Sequence, residues 1–335
     1  MAQRKCKLQA TNLESLSVFP MKPDRLLRAS CAAVWASCLA ACGQLSAELH
    51  DPRNLPALEQ DHRVHYEPGT DAYAREVARL LPASMAKVEA AQGRPFGKDF
   101  VVVTFQDNDS YAAFNGRGSA IPPAVTHFDR VTLSPALWGT DRRWLDRDLT
   151  HELSHEHFFG HLSALAYYRI PIWFIEGIAV MVSEGGGAAD VTDQDGQIAI
   201  CAGRAIPVTD EPGWFDNFSL KAQPPAPPGE DLRTRMHMAY RQAGMFVSYL
   251  NSSDPVAFKS LLDRLYAGER FKPATEAVFH ASLAQEWQGF VGQCGSRWPA
   301  AVGIASRPFD VVIGAGENSH SRGGVRSPRR NTPLS

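Results

Sequence analysis

The sequence predicts an α+β domain: a small mixed sheet in the N-terminal part, followed by helices almost exclusively. Three observations carry that expectation. The clearest β-branched run, Phe100-Val-Val-Val-Thr-Phe105, lies in the first part of the chain. From about Arg142 onward the pattern is helical, with apolar residues at Leu145, Leu149 and Leu153 and again at Leu162 and Leu165, each group at the spacing of a helix face. The chain has 335 residues, 44% of them apolar and 21% charged, with a net charge of -2, so it is long and apolar enough to bury a sizeable core.

The elements follow in order. Asp71 to Gln92 has a helical pattern, which Pro82 should break or kink. Phe100–Phe105 reads as a buried strand, residues 108–115 as a short helix, 116–124 as a Gly/Pro-rich turn, and His127 to Ser134 as a second strand. A long helix should run from about Arg142 to Tyr168. Pro171 then stands where a first-turn proline belongs, opening a helix through about Ser183 that Gly185-Gly186-Gly187 stops. Residues 185–231 carry little periodicity, and Pro224, Pro225, Pro227 and Pro228 mark an exposed loop. Helical patterns return at 232–250, 254–267 and 273–292, and the Gly/Ser/Arg-rich residues 303–335 read as a disordered tail. The folded domain is expected to occupy residues 61–300.

Composition excludes several classes. Near-zero charge leaves no electrostatic footprint for nucleic acid, so no such partner is expected. Six cysteines in a chain of this length do not make a disulfide scaffold. The longest apolar stretch, Ala29 to Ala41, has 13 residues, short of the roughly 18 that a spanning helix needs. It follows Lys22, Arg25 and Arg28, so it reads as a secretory signal over residues 1–41; a start at Met21 would make residues 1–20 a start-site artefact. The stretch ends in Leu39-Ala40-Ala41-Cys42, which resembles the bacterial lipobox. That resemblance implies a lipid anchor on Cys42, and Gly43 after it implies the periplasmic side of the outer membrane. Residues 42–60 would be the lipidated cysteine and a tether, a flexible coil with a reach on the order of 24 Å. Cys201 and Cys294 remain as ordinary thiols, which an oxidising compartment permits either to pair or to stay apart.

The chemistry lies in His151-Glu152-Leu153-Ser154-His155. Residues four apart share a helix face, with Cβ atoms about 5–6 Å from each other, so two imidazoles there can grip one ion. Glu152 stands beside His151, within reach of a water on that ion. Zn²⁺ takes nitrogen and carboxylate ligands and keeps one position for water in catalytic sites. A third ligand is then required, and Glu176 follows in Pro171-Ile-Trp-Phe-Ile-Glu176-Gly177-Ile-Ala179, early in the next helix.

On these residues the chain resembles the gluzincin metallopeptidases, and most closely the peptidase-MA-like domain, over roughly residues 65–292. The resemblance implies a zincin-like fold, one Zn²⁺ per chain held by His151, His155 and Glu176, and Glu152 as general base. It also implies that strand 127–134 is the edge strand that pairs with extended substrate. Tyr240, in Met238-Ala-Tyr240-Arg-Gln-Ala243, matches the family's downstream helix and is the candidate oxyanion donor, with His237 in reserve. Thermolysin-type enzymes place Asp four residues after the ligand Glu; Val180 stands there instead, leaving the partner of His151 open. Asp146 and Asp148 either orient a ligand histidine or are helix-start acids. The zinc aminopeptidase segment G-x-M-E-N is absent, which argues against amino-terminal trimming. His157 and His161 are also four apart, but Phe158 stands where a catalytic Glu would be, and they read as solvent or rim residues.

The expected activity is therefore a membrane-tethered periplasmic zinc endopeptidase acting on protein or peptide substrates. Zinc would lower the pKa of a water to about 7, with Glu152 accepting its proton and returning it to the leaving amine. Two other readings compete: a zinc-binding, catalytically weak or inactive envelope protein acting as a binding module, and a zinc hydrolase of non-peptide amides. An intact Glu152 separates the first from an enzyme, because a structural site has no use for a general base.

Overall fold

A computed structural model describes residues 46–119, 121–210 and 229–298. The signal and lipobox, the proline run at 224–228 and the tail at 303–335 lie outside the described residues. The fold is α+β, with a small mixed sheet and mostly helical content.

The five strands are β1 (Ala57–Leu58), β2 (Asp61–Tyr66), β3 (Val101–Thr104), β4 (Ala124–His127) and β5 (Arg130–Leu133). They lie in the order β1-β2-β3-β5-β4. β2, β3 and β5 are parallel, while β1 and β4 run antiparallel at the two edges. Strand β3 is buried on both faces, which explains its continuous β-branched run. Val101 and Val103 face a small cluster with Phe105, Tyr111 and Val125; Val102 faces the main core with Val64, Val131 and Leu133.

The strand expected over 127–134 is instead the second arm of a hairpin. Phe128 and Asp129 form its turn, and the sheet edge falls to residues 124–127. The Gly/Pro-rich stretch before it had masked β4, since only Ala124 to Thr126 alternate there. Strands β1 and β2 were not foreseen, because the six residues of β2 are mostly polar and hide among charged neighbours. Residues 46–60, expected as part of a tether, pack against the domain. Ala47 is fully buried, Ser46 Oγ donates to the Ala113 carbonyl, and the Arg130 guanidinium donates to the carbonyls of Ala47 and His50.

Helix α1 (Asp71–Gln92) buries Tyr73, Val77, Leu81, Ser84 and Val88 along one stripe and ends at Gly93, in left-handed conformation. It continues through Pro82, so of the expected break or kink the break does not occur. Pro82 lies on the exposed face, where water can hydrate the carbonyl that the proline leaves without an N–H. Helix α2 (Asn108–Phe114) is capped by Asp107.

The stretch expected as one helix from 142 to 168 is divided. Helix α3 (Leu145–His161) ends at Leu162, which is extended, and Ser163 caps a new turn, α4 (Ala164–Tyr167). Helix α5 (Ile172–Val182) follows Pro171 as expected. Helix α6 (Asp193–Cys201) was not foreseen, though Thr192 and Asp195 form a capping box at its start. Helices α7 (Leu232–Ser253) and α8 (Pro255–Tyr266) match the pattern; the stretch 273–292 splits into α9 (Phe271–Phe279) and α10 (Leu283–Val291) at His280, which is left-handed. Cys201 and Cys294 form a disulfide that joins the end of α6 to the segment after α10.

Helix α3 is the centre of the arrangement. It packs on α1, on α5 and on β4 and β5, while α5 lies between α3 and α7. The α5–α7 contact is close because of glycine. A Cβ on Gly177 would stand 2.6 Å from Val247 Cγ2 and 2.7 Å from the Ala243 carbonyl oxygen, and one on Gly244 would meet Val180. The Glu-Gly pair thus has a physical reading: Gly177 lets α7 approach the helix that carries Glu176.

Candidate metal centre

His151, His155 and Glu176 come together as expected, from two turns of α3 and the first half of α5. The two Nε2 atoms are 3.1 Å apart, and Glu176 Oε2 lies 3.2 Å from His151 Nε2 and 3.4 Å from His155 Nε2. Ligands at about 2.0–2.1 Å from one tetrahedral ion stand about 3.3–3.4 Å apart. The triangle therefore has the size that such an ion requires. Glu176 Oε2 is buried against the two imidazole nitrogens, where a buried carboxylate oxygen needs a protonated imidazole or a cation to satisfy it.

The surroundings aim the nitrogens. His151 Nδ1 lies 2.9 Å from the Gly186 carbonyl oxygen. A carbonyl only accepts, so Nδ1 carries the proton and the Nε2 lone pair faces the other two donors. His155 Nδ1 is 3.4 Å from the Tyr167 hydroxyl. Gly186 is held in turn: its own N–H donates to Ser183 Oγ, and the Gly187 N–H donates to Asp148 Oδ1. Gly187 has φ +76°, and a Cβ there would stand 2.7 Å from His151 Cε1. The glycine run read as a helix stop is thus a cradle for the first ligand.

The charges reinforce one another. Burial works against a charged His151, but the hydrogen bond and charge of Glu176 outweigh it and raise His151 to about 9. Burial likewise opposes ionisation of Glu176, yet the neighbouring histidines hold it well below the usual carboxylate range. Asp148 is pushed up to about 6 by burial, against the pull of the Gly187 N–H.

Glu152 is half-buried on the sheet side of α3, and its Oε2 accepts a hydrogen bond of 2.8 Å from Thr126 Oγ1; the same hydroxyl lies 2.8 Å from the Glu152 carbonyl. Thr126 belongs to β4, so the edge strand runs directly beside the expected base. Tyr240, one turn before Gly244 on α7, has its hydroxyl on the Glu176 carboxylate; that charge, with burial adding, holds the phenol well above its ordinary range. It therefore stays a donor at neutral pH. Its ring lies 6.3 Å from that of His151.

Other candidates are placed elsewhere. His237 does not join the three donors; it lines a neighbouring cleft with Asp148, Gly187, Trp144 and Arg233. Asp146 faces α1, near Ser84 and Lys87, whereas Asp148 acts on the site through Gly187. His157 is fully buried, which corrects the rim assignment: α3 packs on the end of α1 and on α8, and both its ring nitrogens are engaged there.

Thr126, Tyr167 and the Gly185–Gly187 run belong to the surroundings of the site, a place that the sequence reading did not give them. The triple glycine directly after the Glu176 helix was the available signal. No family model matches the chain, and no curated protein matches it in sequence.

Proposed function

We propose that the chain is a zinc endopeptidase of the gluzincin type on a zincin-like fold, with one Zn²⁺ held by His151, His155 and Glu176. The observation that carries this reading is the joint placement of three convergent donor atoms, with Glu152 beside them and the sheet edge β4 alongside Glu152. Zinc bound there supplies Lewis acidity and lowers the pKa of a water to about 7. Glu152 accepts the proton at its carboxylate and delivers it to the leaving amine. Tyr240 donates its hydroxyl hydrogen to the developing oxyanion, and an extended peptide adds along β4 at the sheet edge. The Cys201–Cys294 disulfide supports export to an oxidising compartment. With the lipobox resemblance at Cys42, it supports a lipid-anchored protein on the periplasmic side of the outer membrane.

The test pairs metal content with turnover. Glu152→Gln should keep its zinc and lose roughly 10²–10⁴ in peptide hydrolysis, measured as kcat/KM on a mixed peptide library. Tyr240→Phe should lose roughly 10²–10³. Glu152→Gln cleaving as fast as wild type would defeat the mechanism and leave a zinc-binding module.

A further inference from the structure

Single exposed apolar residues are ordinary on a protein surface, but a grouping of them is not. Among the described residues seven large apolar side chains are exposed, and five of them, Leu49, Ile121, Phe128, Leu165 and Tyr168, gather on the side where the chain enters the fold. Ser46 is bound to the end of α2, and the His50 ring packs 5.1 Å from that of Phe114, which sets Leu49 over α2. Glu48 reaches His127, whose ring is 4.6 Å from Phe128. Ile121, 90% exposed, projects from the loop that joins α2 to β4. Beyond Phe128 the surface continues through the rings of Phe159 and Tyr167 to Tyr168, at 6.2, 4.1 and 5.3 Å, with Leu165 on the same short helix α4.

Phe128 supplies a second observation. It holds φ +53° at the hairpin turn, a conformation that costs a bulky residue energy and persists where something else requires it. An aromatic ring nearly half exposed at a strained tip is unfavourable in water alone.

We propose that this face lies against the lipid surface of the membrane; the proposal rests on the lipid-anchor reading of Cys42. The length of chain outside the fold argues for it. Cys42 precedes Ser46 by four residues, which span at most about 14 Å when fully extended. Because Ser46 and Ala47 are fixed to the domain, a lipid on Cys42 holds this side, and no other, at the interface. Arg117, exposed just before Ile121, adds a cation that anionic headgroups attract. Of the nearby acids, Asp129 is countered by Arg53, whereas Glu48 faces a His127 ring that burial keeps neutral. Aromatic rings with polar tips suit such an interface. One consequence concerns substrate: β4 borders this face, so the polypeptides it holds are membrane-proximal segments.

The experiment uses the full chain, purified with its lipid and bound to vesicles of phosphatidylethanolamine and phosphatidylglycerol. A photo-crosslinking phenylalanine analogue is placed at position 121, 128 or 256, the last exposed at the start of α8. Phospholipid adducts at 121 and 128 and none at 256 are expected by mass spectrometry. Vesicle-bound, acylated protein with no adduct at 121 and 128, or with equal adducts at 256, overturns the proposal while leaving the anchor intact. Protein without an acyl group that neither floats with vesicles nor crosslinks removes both. Unacylated protein that still crosslinks at 121 and 128 keeps the face and removes the anchor alone.

Discussion

Helix α3 carries two histidine pairs with the same spacing and opposite character. His151 and His155 turn their Nε2 atoms toward each other and toward a buried carboxylate, so three atoms able to coordinate an ion share one small space. His157 and His161, one turn and a half further on, spend their nitrogens on the fold. His157 Nε2 donates to the Arg94 carbonyl, its Nδ1 lies 2.9 Å from the Tyr266 hydroxyl, and His161 Nε2 donates to the Pro95 carbonyl. Spacing along a helix decides which residues share a face; the partners across that face decide whether a histidine is a ligand or a strut.

The largest expected effect separates the pairs by metal content. Removing a direct ligand, in His155→Ala or Glu176→Ala, should weaken zinc binding by more than the roughly 10–100-fold that loss of an outer partner costs. Tyr167→Phe should fall within that smaller range, and His161→Ala should bind as wild type. Elemental analysis after dialysis against a graded chelator checks all four. Undiminished zinc in Glu176→Ala would remove Glu176 from the ligand set.

Protons sharpen the comparison, because His151 and His157 are shifted in opposite directions. His151 in the metal-free protein is raised to about 9, so it is charged at neutral pH and must release its proton when an ion binds. Zinc affinity should then rise about tenfold per pH unit up to about pH 9, and titration calorimetry in buffers of different ionisation enthalpy should read about one proton released per ion. His157 is lowered to about 4, mainly by burial. A depressed folded-state value means that its contribution to stability is present above about pH 6.5 and is lost as pH falls toward 4, in total of order 3 kcal/mol. His157→Leu should flatten that pH dependence in urea unfolding. It should also cost about 1–3 kcal/mol at pH 7.5 for the Arg94 carbonyl left stranded, without loss of zinc; the Tyr266 hydroxyl keeps Gln92 Oε1 as its acceptor.

Glu156, buried between the two pairs, has one oxygen without a hydrogen-bond partner among the described residues and is pushed up to about 8 by burial. A raised folded-state value penalises the charged form, so its contribution is full below about pH 4.5 and disappears as pH rises through 8. Glu156→Gln should therefore be more stable than wild type above pH 8 and differ little at pH 5, by thermal unfolding at the two pH values.

The candidate metal-binding residues were legible because helix periodicity is local. His151, Glu152 and His155 share one turn, and Pro171 marks the start of the helix that carries Glu176. Tyr240 was found only through the resemblance; its position depends on Gly177 and Gly244 drawing α7 onto α5, a contact between residues far apart in sequence. His157 was misread for the same reason, since its partners come from residues 94 and 266. Strand pairing is also non-local, and the edge strand lay three residues from its expected position because a Phe-Asp turn lacks the glycine that usually announces a hairpin. The packing of residues 46–60 had no local signal: polar, proline-containing sequence can fold when a buried arginine such as Arg130 collects its carbonyls.

The most direct measurement is zinc K-edge X-ray absorption on the purified protein and two of its variants. The account predicts nitrogen and oxygen neighbours at about 2.0–2.1 Å, two of them imidazole, and no sulfur at about 2.3 Å. One imidazole should be lost in His155→Ala and none in His161→Ala. A sulfur neighbour, or an imidazole count unchanged in His155→Ala, would contradict it.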